Sequence, residues 1–302
     1  MRRWAHRTHL AGRLLALASL GACRPAADRP ALSGDRAITV IDDAGRTVTL
    51  RRPARRIVSL APSSTELLFA IGAGANLVGR TTWCKYPPAA ETVPVVGDGL
   101  NPNIEAVAAR RPDLVVLYRS QLNETAAEQF TRLGIPAAIL RQDRLEDVAR
   151  DARLLATLVG RSPAGDLVAA GIATVASTPA PPPTVRLAFV VWDNPPTVIG
   201  AGSFLDQLAE LAGGVNVFHD LAAASAVVSL EIIAARNPDV IVTLTEGDSA
   251  RLPAYGARRE WRAIPAVRQR RFVFLPGALF SRPSPRAEEA VAEFRRRLVA
   301  AP

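Results

Sequence analysis

The sequence predicts an α/β protein with two similar lobes, each built on a parallel-type sheet and joined once by a helical segment. Short apolar strands alternate with small loops and helical segments, as in parallel α/β folds. The pattern Glu-x-x-Ala-Ala-Arg-x-Pro-Asp occurs twice, within residues 103–116 and again within residues 229–242. Residues 64–76 are echoed by residues 204–216 in the same order, which indicates two lobes rather than a solenoid of short repeats. Residues 145–177, between the copies, have a mostly helical pattern.

The first lobe is predicted to cover residues 37–143. It begins with two short alternating strands within residues 37–50, around a polar Asp-Asp-Ala-Gly turn. Ser63 and Glu66 have the spacing of a capping box, which predicts a helix that Ser63 caps. The other predicted elements of this lobe are strands at 56–60, 114–118 and 137–140 and helices at 103–110 and 124–133.

Residues 144–180 are predicted to link the lobes, and residues 181–302 to form the second lobe. Within the link, Pro163 suits the first turn of a helix that runs to Ala176, with Ser162 as its cap. The lobes are thus expected to be joined by a single long helix. A rigid two-lobed body is the expected consequence, because a helical tie resists hinge bending more than extended strands do.

The N-terminal residues are predicted to be a lipoprotein signal peptide at 1–22 and a flexible tether at 23–36. Four arginines without an acid precede an apolar run at 14–20 that is too short to span a membrane. The small residues before Cys23 resemble the bacterial lipoprotein processing box, so acylation of Cys23 is expected; an ordinary signal peptide is the alternative. The folded lobes would then lie in the periplasm or at the outer face of the cytoplasmic membrane, attached to it only through this lipid.

The residue inventory disfavours several classes of function. Nucleic-acid binding is not expected, because no basic stripe interleaved with aromatic residues occurs. Cys84 and His219 are the only cysteine and histidine beyond Cys23, so we expect no disulfide, no zinc or copper centre and no resident cofactor. A thiol enzyme with Cys84 as nucleophile and His219 as base remains an alternative, although the two residues belong to different predicted lobes.

Six segments carry a family resemblance: RIVSLAPSSTELLFAIGAGANLVGRT, CKYPP, PNIEAVAARRPDLVVL, SFLDQLAELAGGVNVF, VSLEIIAARNPDVIV and SRPSPRAEEAVAEF. In this order they resemble the substrate-binding proteins of ABC importers with a rigid helical backbone, the class III periplasmic binding proteins, which receive cobalamin, siderophores and haem. The resemblance covers roughly residues 38–298. It implies two Rossmann-like lobes and a monomer without catalytic activity. Such a monomer captures a small-molecule metal chelate and delivers it to a permease dimer with its ATPase subunits.

Within that family, TTWCKYPP followed by PNIEAV is most similar to the cobalamin receptors, so a corrinoid is the expected ligand. The resemblance implies that Trp83 contacts the corrin and that Arg282 lies in the cleft. Gly99, Thr197 and Ser225 depart from the pattern, because they stand where such a receptor has large aromatic residues. A ferric siderophore or haem therefore remains an alternative ligand, and a sensor or adhesion lipoprotein an alternative role.

The expected ligand-binding residues lie in loops that follow strands, and such loops converge at the ligand sites of α/β proteins. They are Ser63, Trp83, Cys84, Tyr86, Tyr118, Arg119, Trp192, Asp193, Phe280 and Arg282. Structural roles remain open for several of them: a helix cap for Ser63, core packing for Trp83, a salt bridge between the lobes for either arginine, and a small apolar filler for Cys84.

Glu105 and Glu231 occupy equivalent positions in the two copies of the repeat. The resemblance implies that each docks onto arginines of the permease, one from each lobe, which suits a two-fold partner. An acid in the first turn of a helix is also favourable through the helix dipole, so a structural role stays open for both residues.

Overall fold

The computed structural model describes residues 37–245 and 254–301; the predicted signal peptide, the tether and Cys23 lie outside them. The strands are β1 (Ile38–Ile41), β2 (Thr47–Leu50), β3 (Ile57–Ser59), β4 (Leu77–Arg80), β5 (Leu114–Tyr118), β6 (Ala137–Leu140), β7 (Val185–Asp193), β8 (Pro196–Ile199), β9 (Gly214–Asn216), β10 (Ser225–Val227), β11 (Val240–Thr245) and β12 (Phe272–Pro276). The helices are α1 (Pro62–Ala70), α2 (Ile104–Ala108), α3 (Gln121–Arg132), α4 (Leu145–Leu158), α5 (Ser162–Ala176), α6 (Phe204–Ala212), α7 (Leu230–Arg236), α8 (Pro265–Arg268), α9 (Gly277–Phe280) and α10 (Ala287–Val299). Among these helices, none is long and apolar enough to cross a bilayer.

Each lobe contains a sheet, and the two sheets share a four-stranded parallel core with the same strand order. The first sheet has the order β4-β3-β5-β6, and all its neighbouring strands are parallel. The second contains a parallel core in the order β9-β7-β11-β12, which β8 and β10 extend as antiparallel strands. Each strand of the first sheet therefore has a counterpart in the second, which confirms the predicted repeat at the level of topology.

Most predicted elements of the first lobe are confirmed within a few residues. β1 and β2 form the predicted antiparallel hairpin, with Ile38 opposite Leu50. The strands predicted at 114–118 and 137–140 are β5 and β6. Helix α3 begins three residues earlier than predicted, at Gln121, because the Ser120 hydroxyl caps it by accepting a hydrogen bond from the Asn123 amide.

The repeated Pro-Asp element ties neighbouring strands together. Asp113 precedes β5, and its carboxylate accepts hydrogen bonds from the backbone amides of Arg55 and Arg56, just before β3. Asp239 precedes β11 and accepts a hydrogen bond from the Arg186 amide near the start of β7, at 2.9 Å. Each carboxylate satisfies amides at the start of a neighbouring strand. The repeated Asp therefore has the same structural role in both lobes, which explains why it occurs in both copies of the pattern.

The link between the lobes consists of two helices, α4 and α5, and α5 leads into β7. The predicted cap at Ser162 is wrong: Arg161 is the N-cap residue, Ser162 already lies in the first turn and Pro163 follows it. Gly165 allows α5 to pack closely against α4, because a Cβ at this position would lie 2.3 Å from the Ala156 Cβ. Helix α5 thus packs along α4, and the chain then continues into β7 of the second lobe.

One hydrophobic core runs through both lobes. It joins apolar side chains of β3, α4 and α5 to those of β7 and α10, among them Ile57, Leu155, Ile172, Phe189 and Phe294. Phe189 and Phe294 pack edge to face, with their ring centroids 5.8 Å apart. A shared and closely packed core opposes separation of the lobes. A rigid body is therefore still expected, and scattering curves with and without ligand would test it.

Candidate ligand-binding cleft

A cavity of about 240 Å³ lies between the lobes, at the edge where the parallel strands of the first sheet end. Its lining residues are Ala61, Pro62, Ser63, Tyr118, Gln142, Asp143, Ser203, Phe204, Ala224, Ser281, Arg282 and Pro283. Three of the ten predicted ligand-binding residues are therefore in the lining: Ser63, Tyr118 and Arg282. The cavity is smaller than the roughly 300–1,000 Å³ of ordinary ligand pockets, so a macrocycle would have to rest in the open cleft around it.

Ser63 reaches across the cleft instead of capping its own helix. The N-cap residue of α1 is Ala61, which has extended backbone and makes no side-chain cap, and Pro62 starts the helix. The Ser63 hydroxyl donates a hydrogen bond to the Pro283 carbonyl of the second lobe, at 2.5 Å. The predicted capping box is therefore wrong, because the side chain of Ser63 finds its partner in the other lobe.

Glu66 forms the centre of a buried ion-pair cluster between the lobes. Its carboxylate accepts hydrogen bonds from the Nε atoms of Arg282, at 2.8 Å, and Arg286, at 3.0 Å. The side chain of Glu66 is 1% exposed, and those of Arg282 and Arg286 are 15% and 13% exposed. The salt bridge between the lobes that was open for Arg282 is thus present, and the same arginine also lines the cavity.

The loop at residues 81–88 contacts the second lobe through Tyr86. The guanidinium carbon of Arg286 lies 3.8 Å from the centroid of the Tyr86 ring, in cation–π geometry. Arg286 therefore contacts both this loop and the Glu66 carboxylate, and it connects them. One face of the Tyr86 ring is covered in this arrangement, although the residue stays partly exposed.

Cys84 does not face the cleft, so its predicted ligand contact is wrong. The residue is 1% exposed, and its Sγ accepts a hydrogen bond from the Thr65 hydroxyl at 3.1 Å. The Thr81 hydroxyl lies 3.2 Å from the same sulfur. Buried among these groups, Cys84 fills space under the loop, which was its structural alternative. His219 is hydrogen-bonded to Asp206 in the second lobe, so it is no partner for the thiol.

Phe280 belongs to the core, and its predicted ligand contact is also wrong. It is fully buried and packs edge to face on Phe294, with ring centroids 5.9 Å apart. The short helix α9 turns this side chain inward, toward α10. The ring of Phe280 therefore stabilises the lobe and does not contribute to the cleft surface.

Trp83 and Trp192 present exposed aromatic surface, one in each lobe. Trp83 follows β4 and is 56% exposed, whereas Trp192 near the end of β7 is 63% exposed. The Trp192 indole donates a hydrogen bond to the Asn194 carbonyl, at 2.8 Å, which holds the ring in its hairpin. Neither tryptophan is in the core, so the core-packing alternative for Trp83 is excluded.

The two remaining charged candidates form ion pairs within their own lobes. Arg119 lies 3.4 Å from Glu124, and both side chains are exposed. Asp193 lies 2.7 Å from Arg258. Neither residue lines the cavity, and the salt bridge between the lobes that was open for Arg119 is not formed, because Arg119 pairs on the surface of α3.

Tyr118 lies at the end of β5 and donates a hydrogen bond to the Asp143 carboxylate, at 3.0 Å. Burial, followed by the charge of Asp143, raises the pKa of Tyr118 to about 12. The Asp143 carbonyl also accepts a hydrogen bond from the Phe204 amide of the second lobe, at 2.7 Å. The Tyr118 hydroxyl is therefore uncharged at neutral pH. A backbone hydrogen bond between the lobes stabilises this corner of the cleft.

A buried charge cluster lies behind the cavity floor. Gln142, a lining residue, donates hydrogen bonds to the Ser64 hydroxyl and to the Asp151 carboxylate, at 3.0 and 3.1 Å. Arg150 contacts Asp151 as well as Asp43 and Asp147. Arg141 also forms an ion pair with Asp147, so the cluster contains two guanidinium groups and three carboxyl groups. One carboxyl group of the cluster is in excess.

Burial raises the pKa of Asp151 to about 8, and the charge of Asp43 adds to it, against the lowering effect of Arg150 and Gln142. Hydrogen bonds from Arg141 and Arg150 lower the pKa of Asp147 in spite of its burial. The proton of the cluster therefore resides on Asp151 at neutral pH, which balances the two guanidinium charges.

The free energy of unfolding is expected to fall as pH rises from about 4 to about 8, because Asp151 holds a proton in the folded state that the unfolded state releases. A raised folded-state pKa contributes stability below the unfolded value, and the contribution is lost as pH rises through the folded value, at about 1.4 kcal/mol per pH unit. The Asp151→Asn variant, whose amide cannot ionise, should lose this slope: its free energy of unfolding should be close to that of the parent near pH 4 and should exceed it at pH 7 and 8. Urea unfolding at pH 5, 7 and 8 measures the free energy of unfolding of the parent and the variant.

The control variant is Asp166→Asn, because Asp166 is the exposed ion-pair partner of Arg153. Parallel pH profiles for the parent and Asp151→Asn would show that Asp151 is ionised.

Glu105 and Glu231 are exposed and equivalent in structure as well as in sequence. Each occupies the second position of its helix, α2 or α7. The caps are the side chains of Asn103, which accepts from the Ala106 amide at 2.9 Å, and Ser229. A hydrogen bond with the Ser229 side chain lowers the pKa of Glu231. Both acids therefore present a negative charge at the surface, and neither is needed as a cap.

Several residues of the cleft were missing from the sequence prediction: Glu66, Gln142, Asp143, Ser203 and Phe204. The sequence signal for Glu66 was present, since its position three residues after Ser63 suggested a helix cap. Ser203 and Phe204 begin the quoted segment SFLDQLAELAGGVNVF, which indicated the family but no cleft contact, and Gln142 and Asp143 lie in a loop without a motif of their own. In the described part of the chain, no group of three or more histidine, cysteine or acidic side chains could hold a metal ion.

Comparison with known proteins supports the two-lobed architecture. The periplasmic binding protein family matches residues 57–279. The ABC transporter substrate-binding lipoprotein YvrC of Bacillus subtilis (strain 168) is 29% identical over 272 residues, which cover 85% of this chain and 83% of that protein. The vitamin B12-binding protein of Salmonella typhimurium (strain LT2) is 29% identical over 231 residues, which cover 71% of this chain and 86% of that protein.

Solved structures give the same result. The periplasmic vitamin B12 binding protein BtuF of Vibrio cholerae aligns with a TM-score of 0.67 and 26% identity, over 82% of this chain and 98% of that chain. The periplasmic haem-binding protein BhuT, in complex with two haems, aligns with a TM-score of 0.68 and 27% identity, with the same coverage. Paired sheets of equal topology, a helical link and a family match across both lobes lead to one conclusion: the chain belongs to the periplasmic binding protein family and has the fold of its class III members.

Proposed function

We propose that the protein is the substrate-binding component of an ABC importer, which captures a corrinoid outside the cytoplasm and delivers it to a permease without catalysing a reaction. The observation that carries the proposal is the cleft between the lobes, with an exposed tryptophan in each lobe, Trp83 and Trp192. Flat indole surfaces suit the face of a macrocycle. The names of the B12-binding relatives support the same ligand class.

The cleft itself favours a corrinoid over haem. Haem iron in proteins is held by a His, Cys, Met or Tyr side chain, and among the described residues that line the cavity Tyr118 is the one of these types. The Tyr118 hydroxyl donates a hydrogen bond to the Asp143 carboxylate, and its pKa of about 12 opposes formation of the phenolate that a ferric iron prefers. The cobalt of cobalamin arrives with its own axial ligands, so it makes no such demand on the protein.

The contacts around Glu66 support capture by a preformed site. The Ser63–Pro283 hydrogen bond, the Glu66 cluster and the Tyr86–Arg286 contact connect the lobes on one side of the cleft. On the other side, the Asp143 carbonyl accepts from the Phe204 amide. A cleft held at both sides loses little conformational freedom when a ligand binds, which lowers the cost of binding.

Titration with cyanocobalamin, cobinamide, haemin and a ferric hydroxamate siderophore tests the proposal. Calorimetry is expected to show tight binding of the corrinoids and at least tenfold weaker binding of haemin and the siderophore. Trp83→Ala should weaken corrinoid binding about tenfold, because a buried aromatic contact contributes about 1 kcal/mol or more beyond its area. The control is Leu167→Ala, which removes an exposed apolar side chain of α5 outside the cavity. Tight haemin binding with no corrinoid binding would replace the corrinoid by haem.

The proposed attachment is a lipid on Cys23, and the proposed partner is a permease dimer with its ATPase subunits, which the monomeric binding protein meets through Glu105 and Glu231. Both acids are exposed at matching places in the two lobes. Equivalent charges on two similar lobes suit a partner with two-fold symmetry.

A further inference from the structure

Seven arginines of the first lobe form a basic face at the end of the sheet opposite the cleft. Arg55 and Arg56 directly precede β3, whose first residue, Ile57, is level with Leu114 at the start of β5. The cavity residues follow the other ends of these same strands. The basic face consists of Arg51, Arg52, Arg55, Arg56, Arg110, Arg111 and Arg161.

Contacts between these segments make the basic face continuous. The Arg56 guanidinium donates hydrogen bonds to the carbonyls of Arg110 and Arg111, at 2.6 and 2.9 Å. The Ala54 amide donates to the Leu158 carbonyl near the end of α4, which brings the residues just after α4 beside the loop before β3. Arg161 follows directly. The seven side chains thus surround one region of the surface.

The positive charge of this face is not neutralised within the described part of the chain. None of its seven guanidinium groups is within ion-pair distance of a described carboxylate. Asp113 is the acid at its centre, and its oxygens accept hydrogen bonds from the backbone amides of Arg55 and Arg56. All but Arg110 are exposed. Arginine is well suited to phosphate, because its planar fork of donors matches phosphate oxygens.

The chain enters the folded body at this same face. In the β1–β2 hairpin, Ile38 is opposite Leu50, so Ala37 lies beside Arg51 at the end of the hairpin. Residues 23–36 therefore join the lobe at the edge of the basic face. A lipid on Cys23 would therefore be connected to the lobe at the edge of this face.

We propose that the basic face binds the anionic phospholipid headgroups of the membrane and holds the cleft facing away from the bilayer. The inference adds a second attachment to the proposed lipid on Cys23. A polybasic surface beside a lipid anchor adds electrostatic attraction to anionic headgroups. The protein would capture ligand in this orientation and must leave it to meet the permease with the cleft side.

Vesicle sedimentation of the full chain carrying Cys23→Ser tests the basic face without acylation. Pure phosphatidylcholine vesicles report the apolar contribution of the N-terminal segment. The four arginines within residues 1–22 also favour phosphatidylglycerol, so the contribution of the basic face is the difference between the parent and the test variant on anionic vesicles. We expect preference for the anionic vesicles, and weaker binding as salt is raised, because salt screens exposed charges. The test variant replaces Arg51, Arg52 and Arg55 by Gln and Arg111 by Asn.

The matched control removes the same charge from the second lobe, by changing Arg259, Arg262 and Arg268 to Gln and Arg270 to Asn. Arg111 and Arg270 both have a positive φ, 49° and 57°, which Asn tolerates. Each variant therefore contains one substitution at a left-handed backbone position. We expect the test variant to lose at least about tenfold in partition onto anionic vesicles, because surface arginines are attracted to anionic headgroups, and the control to stay within about twofold.

Three outcomes would overturn the proposal: equal losses in both variants, no preference for anionic vesicles, or release by inorganic phosphate but not by chloride at equal ionic strength. The last outcome would identify a site for free phosphate. Circular dichroism of each variant confirms that it is folded. Corrinoid titration of the test variant is expected to match the parent, so a failure on vesicles does not bear on the ligand proposal.

Discussion

Replacing Glu66 with alanine is expected to lower the free energy of unfolding by about 3–5 kcal/mol, because it leaves the partly buried Arg282 and Arg286 without their carboxylate. Glu66 is the acid to which both arginines donate. Without it, two guanidinium groups that are largely withdrawn from water repel each other at the contact between the lobes. Urea unfolding of the parent and the variant measures the difference.

The matched control is Glu124→Ala, which removes an acid of similar size from an exposed ion pair with Arg119. Exposed pairs contribute about 0–1 kcal/mol, so this variant should unfold close to the parent. A second variant, Glu66→Gln, retains the volume and one acceptor, and covers the case in which Glu66→Ala does not fold. Unfolding of Glu66→Gln and Glu124→Ala at the same urea concentration would contradict a structural role for the cluster.

The double variant Glu105→Ala with Glu231→Ala is expected to abolish import while its affinity for the ligand stays unchanged. Both acids are exposed, neither lines the cavity, and each belongs to a different lobe. Their removal takes away the complementary charge for the permease from both halves of the contact. Uptake of labelled corrinoid by cells, together with calorimetric affinity of the purified variant, measures the two effects separately.

The control for this experiment is Glu288→Ala with Glu289→Ala, which removes two exposed acids from the first turn of α10. The helix-dipole contribution is lost in both double variants, whereas only the first removes the proposed docking charges. Import should persist in the control. A loss of ligand affinity or of folded protein in the Glu105 and Glu231 variant would assign these acids a structural role instead.

Much of the fold was predictable because the same sequence pattern occurs in both lobes. Two copies of the same pattern of strand, helix and Pro-Asp turn predicted two lobes, and both sheets indeed have the same strand order. Local patterns also sufficed for β5 and β6, whose apolar residues form continuous buried runs between loops. The helix starts were less certain: Ser120 caps α3 earlier than predicted, and Arg161 rather than Ser162 precedes α5.

The residues of the cleft were predictable only in part, because several of their side chains have a possible partner nearby in sequence but bind a distant one in the structure. Ser63 and Glu66 fit a local capping box, yet both side chains bind groups more than two hundred positions away. Cys84 and Phe280 lie in loops next to the cleft, and their neighbours decide that they point inward. Spacing along the chain cannot distinguish such inward and outward directions at the end of a strand.

Local sequence patterns were enough to predict the two-lobed α/β topology, the helical link and the equivalence of Glu105 and Glu231. These features depend on patterns that repeat within a few residues, and apolar periodicity and turn residues act at that range. Contacts between distant segments were needed to show that Glu66, Arg282 and Arg286 connect the lobes, that burial raises the pKa of Asp151, and that seven arginines share one face. Those properties arise where distant segments meet, because charge, burial and hydrogen bonding depend on distance in space rather than along the chain.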